Sequence, residues 1–100
     1  MNPPIDLETF RRLDLRLATV DSVFVLLDDL AVATVRCPEP VEALVPASCL
    51  PAETAGLRVV VALGLRPLAI GERRLTAALA TAGGTLVRIA ADLPDGSRLA

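Results

Sequence analysis

The stretch FRRLDLRLATV, residues 10–20, decides the fold, because an amphipathic turn passes into a period-two strand there without a linker. Upstream, Asp6 suits an N-cap, and Ile5 can pack on Phe10 four positions into a helix, the arrangement of a hydrophobic staple. The spacing predicts a short helix over 7–13. From Leu13 onward the apolar residues Leu13, Leu15 and Leu17 alternate with Asp14, Arg16 and Ala18. That period predicts a strand with one apolar face lining a small core.

The same segment resembles the opening of the tRNA-binding domain family, whose first strand commonly reads Phe-x-x-Leu-Asp-Ile-Arg-Val-Gly; Phe10, Leu13, Asp14 and Arg16 match it. Residues 56–100 are also similar to that family, in the order of a Val-rich strand, a basic loop, a Gly, a hairpin and a closing Pro-x-Gly-Ser-basic-apolar tail. Pro94, Gly96, Ser97, Arg98 and Leu99 fill the tail. In length the chain looks like the free-standing CsaA-type members more than the domain appended to methionyl-tRNA synthetase. The resemblance implies an all-β, five-stranded OB-fold Greek-key barrel. It also implies a homodimer joined through segments outside the barrel, with tRNA or other structured RNA as a partner. Handling of unfolded polypeptide, to which some members are linked, is one alternative, and a diverged assembly module without RNA binding is another.

Composition sets bounds that agree with this. A chain of 100 residues makes a single domain, 1–100, able to bury roughly 60–70% of its unfolded surface. Hydrophobic residues make up 53% of it, yet the longest apolar run, Val59 to Leu65, is far too short to span a bilayer. The opening Met1-Asn2-Pro3-Pro4 has neither a basic start nor an apolar stretch, so no secretory signal is predicted and a cytoplasmic location is expected. Cys37 and Cys49 are separated by eleven residues, with no His in the chain. Two such residues cannot close a zinc site, and they are expected as small buried apolar groups. No metal, cofactor or catalytic role is expected, since His and Lys are absent and no Gly-rich phosphate loop is present.

The rest of the chain reads as strands broken by turn residues. Residues 23–27 and 30–36 flank Asp28-Asp29 and predict a hairpin, and 42–45 gives a short strand between Pro40 and Pro46. Residues 48–55 suit a short helix between strands 3 and 4, ended by Gly56. Residues 57–63 are a strand apolar on both faces. Residues 66–74 form a loop, 75–81 a returning strand, and Gly83-Gly84 turns the chain into a final strand over 85–90.

Charge is unevenly divided. Residues 1–55 hold four Arg against nine acids, net −5, and residues 56–100 hold six against three, net +3. The basic half places Arg66, Arg73 and Arg74 in the loop that OB-folds turn toward nucleic acid, and guanidinium groups match phosphate geometry. Arg16 and Arg36, on the polar faces of the first two strands, are lesser candidates for RNA contact. The family's own contact residues do not carry over. Its strand 4 Asn is Leu63 here, Arg66-Pro67-Leu68 replaces its Pro-Arg-Lys, and Arg74, Thr76 and Ala77 stand where Ser, Gly and Met follow the turn Gly, which alone is kept as Gly71. The only aromatics, Phe10 and Phe24, sit in apolar patterns that predict core, which leaves no platform for base stacking. Residues 1–13 and the apolar end at Leu99 are the expected dimer contacts.

Overall fold

The structure, a computed structural model, describes residues 14–90 and 92–99. The helix expected over 7–13 lies outside them, as do Phe10 and the rest of the proposed dimer-side extension. Five strands close into a barrel: β1 (Asp14–Leu27), β2 (Leu30–Arg36), β3 (Pro40–Pro46), β4 (Arg58–Leu63) and β7 (Ala78–Leu79). Around the barrel the order is β1-β2-β3-β7-β4, with β4 antiparallel to β1 to close the circle and β3 parallel to β7 through Leu44 and Ala78. This is the five-stranded Greek-key order of an OB barrel. Two small hairpins complete it, β5 (Leu68–Ile70) with β6 (Arg73–Leu75), and β8 (Thr81–Ala82) with β9 (Thr85–Leu86).

The interior is built from small and β-branched side chains. Ala18, Val20, Ala31, Ala33, Val35, Ala43, Val45, Val59, Val61, Ala77, Leu79 and Leu86 form one buried cluster. A narrow barrel needs alanines where strands approach closely, and valines because they pack well on a pleated surface. Here the structure corrects the expected facing of β1. Successive side chains alternate, and since Ala18 and Val20 point inward, Leu15 and Leu17 lie on the opposite face, paired with Ala62 and Val60 of β4. Leu17 is nevertheless fully buried and Val60 nearly so, which accounts for the unbroken Val59-Val60-Val61 run: β4 is covered on both faces.

A second correction concerns β1 as a whole, which is one strand of 14 residues where the sequence suggested two segments. Its pairing with β2 slips once between Val20 and Ser22 and again between Val25 and Leu27. A bulge inserts an unpaired residue and reverses the alternation beyond it. Past Asp21 the inward position becomes Val23, opposite Ala33, while Phe24 turns to the outside opposite Val32 and Val25, opposite Ala31, is left exposed. The expectation that Phe24 is core therefore fails, and the ring is 37% exposed.

The helix expected over 48–55 is reduced to a 3-10 turn at Ala47–Cys49. Prolines at 46 and 51 bracket it, and each removes a donor and restricts its predecessor. Asp29 organises the turn: its carboxylate accepts from the Ser48 amide at 2.7 Å and the Ser48 hydroxyl at 2.9 Å, and its carbonyl accepts from the Ala47 amide at 2.6 Å. Asp28, at φ 47, turns the β1–β2 hairpin.

The strand expected over 75–81 is interrupted. Leu75 ends β6, and two residues later Ala78-Leu79 pair with β4 and β3. Of the strand expected over 85–90, Thr85-Leu86 pair with β8, and Arg88 bridges to Val59. Among the described residues, no helix is long and apolar enough to cross a membrane.

Candidate functional site

The outer face of β1, β2 and β3 is where the candidate residues converge. Cross-strand registers place Phe24, Val32 and Leu44 in one row and Ser22, Thr34 and Glu42 in the next, on the side opposite the core. Val32 is fully covered while Phe24 remains partly open.

The segment expected as an irregular loop, 66–74, instead carries the β5–β6 hairpin, turned by Gly71 at φ 59. Leu75 at its end is buried and the Leu65 amide donates to the Thr76 carbonyl at 2.8 Å, so the excursion is fastened at its base. Arg73 reaches back from it to the barrel. Its Nη1 donates to Glu42 Oε2 at 2.6 Å, and its guanidinium carbon lies 4.7 Å from the centre of the Phe24 ring. Because neighbours on a strand face opposite ways, Arg74 points away from this contact. Arg74 is exposed, as is Arg66 in the approach to β5, and neither forms an ion pair among the described residues.

The five arginines singled out by sequence thus divide. Arg66 and Arg74 are free cations on the excursion. Arg73 is held against Glu42 and Phe24. Arg36 pairs with Asp21 at 2.9 Å, across the bulge. Arg16 belongs to the closure of the chain: its Nε donates to Asp14 Oδ1 at 2.7 Å and its Nη1 to the Gly96 carbonyl at 3.1 Å. The hydrogen bond from Arg16 holds the Asp14 carboxyl below its ordinary value, against the opposing effect of burial, and raises Arg16 in return. That contribution to stability is present above the unfolded carboxylate value and fades as pH falls through the lowered one.

The Pro94-to-Leu99 tail lies along β1 beside these groups. Leu17 donates its amide to the Ser97 carbonyl at 2.9 Å, the Gly96 amide donates to the Leu17 carbonyl at 2.7 Å, and the Leu99 amide to the Leu15 carbonyl at 2.8 Å. Thr19 donates its hydroxyl to Asp95 at 2.7 Å, and Arg58 pairs with Asp95 at 3.4 Å and donates to the Leu93 carbonyl. The two segments that carried the family resemblance are therefore bonded to each other. Their residues serve the architecture.

Cys37 and Cys49 are both half-buried free thiols packed on the core cluster. Burial pushes the Cys37 thiol up, with Arg16 opposing. Among the described residues no three metal-ligating side chains gather in one place. A cleft of about 160 Å³ opens between the 3-10 turn and the β8–β9 hairpin, lined by Ser48, Leu50, Thr85 and Arg88 among others.

Sequence reasoning missed Phe24 and Glu42 as parts of the site. The signal was the polar pair Asp21-Ser22 inside an otherwise apolar strand, which marks the bulge that turns Phe24 outward.

No family model matches the chain, and no curated protein matches its sequence. Solved structures do. A MetRS-related protein from Pyrococcus horikoshii superposes with a TM-score of 0.76 at 17% identity, covering 99% of each chain. The chaperone CsaA of Bacillus anthracis str. Ames gives 0.70 at 16% identity over 98% of this chain and 100% of that one. The CsaA chaperone protein of Picrophilus torridus gives 0.73 at 12% identity over 97% and 100%. At such identities the likeness is one of fold, and it covers nearly the whole of each chain: the barrel is that of CsaA and the MetRS-related protein, in a divergent sequence.

Proposed function

We propose that this protein binds structured RNA, of which tRNA is the leading candidate, without catalysis and as a homodimer, through phosphate contacts made by Arg66 and Arg74. The observation that carries this reading is the pair of exposed guanidinium groups, unpaired among the described residues, on the excursion whose Arg73 reaches Glu42 of β3 and Phe24 of β1. OB barrels recognise oligonucleotides with the face of their second and third strands and with that connection. Arg74 is free to meet phosphate because Arg73 alone is spent on Glu42 and Phe24. The fold shared with a MetRS-related protein supports the same choice.

A second reading has its own observation. Phe24, Val25, Leu27 and Leu68 are large apolar residues exposed on β1 and β5, and exposed apolar surface suits unfolded polypeptide, in keeping with the CsaA chaperones that share the fold. The two readings differ in what removes binding. A gel shift with total tRNA at low salt should show a complex for the natural protein and none for the variant carrying Arg66→Glu with Arg74→Glu. Both positions are exposed and unpaired, so the variant should elute unchanged from a sizing column. An unaltered shift in that variant would remove these two residues from the site, and no shift with the natural protein would end the RNA reading.

A further inference from the structure

We infer that Phe24 and Arg73 form a stacking platform for an unpaired nucleobase, so that the RNA recognised carries a single-stranded or flipped-out base beside the phosphates held by Arg66 and Arg74. This rests on the RNA-binding reading and adds to it the local form of the ligand.

The bulge at Asp21 is what places the ring on the surface. It costs the core an aromatic side chain and leaves Phe24 on the face opposite the interior, between strands whose neighbouring position, Val32, is fully covered. Val32 and Leu44 continue the cross-strand row that Phe24 begins. Arg73 lies over the ring, with its guanidinium carbon 4.7 Å from the ring centre and its position fixed by Glu42 at 2.6 Å. A base has the two features this arrangement answers, a flat π-face for the ring and the guanidinium plane, and a phosphate linked to it for a nearby cation. The hairpin that carries Arg73 also brings the exposed Arg66 and Arg74, which supply cations for the neighbouring phosphates of the strand. An exposed cation–π contact is weaker than base–aromatic stacking, so a base can displace Arg73 from the face of the ring.

The test uses a short single-stranded RNA containing 2-aminopurine, the same RNA as a blunt duplex, and the natural chain beside Phe24→Leu and Phe24→Trp. Stacking predicts that the natural protein changes 2-aminopurine fluorescence. Phe24→Leu should then bind the single strand about tenfold more weakly, Phe24→Trp should bind at least as tightly as the natural protein, and duplex affinity should move by less than about twofold. Equal single-strand affinity for the natural protein and Phe24→Leu overturns the platform while leaving RNA binding through Arg66 and Arg74 in place. Loss of binding in Phe24→Trp equal to that in Phe24→Leu overturns it too, because an aromatic ring would then not be what matters. If the natural protein binds neither RNA form nor tRNA but captures an unfolded polypeptide in a Phe24-dependent way, the platform and the RNA reading fall together.

Discussion

A methyl group at position 96 would collide with the ring of Pro38. A Cβ built on Gly96 falls 2.6 Å from the Pro38 δ-carbon and 3.1 Å from its nitrogen, and the backbone there has φ +89, where side chains are strained in any case. Neither contact involves a group that can swing away. Gly96→Ala should therefore lower stability by about 2 kcal/mol, roughly 10 °C in melting temperature, which a thermal melt by circular dichroism checks. Sequence similarity flagged this glycine within the closing tail but could not say why it is there. The reason is an approach between residues 58 positions apart, visible only once the tail lies along β1.

At the scale of elements, the sequence was most legible where one period held for a whole strand. The edges of β2 follow from its alternation and the Asp28-Asp29 turn, and β4 from its run of valines. It was least legible where two elements share a residue's work. Asp29 looks like turn chemistry, yet its carboxylate also binds Ser48 beyond β3, shaping the 3-10 turn that stands where a helix was expected. Asp29→Ala should cost about 1 kcal/mol by urea titration, and Asp28→Ala should differ from it, since Asp28 acts through its φ 47 backbone instead. The 66–74 excursion was legible as basic but not as a hairpin, because nothing in Arg73-Arg74 announces that one side chain returns to the barrel and the other leaves it. A bulge at the middle of a strand reverses the inward positions that follow it. That single slip explains why Phe24 was expected in the core.

For the molecule as a whole, net charge is a poor guide. The formal −2 combines an acidic first half with a basic second half, and folding then consumes part of the basic excess: Arg58 is joined to Asp95 and Arg73 to Glu42. What remains at the excursion is Arg66 and Arg74, so binding by a small number of phosphates is the central claim. The dependence of tRNA affinity on salt measures that number directly. Plotted as log affinity against log salt concentration, it should fall with a slope of about −1.4 to −1.8 per protomer engaged, as release of counterions from roughly two phosphates requires. A slope near zero, or affinity that rises with salt, would contradict the account and assign the exposed surface of this barrel to apolar partners.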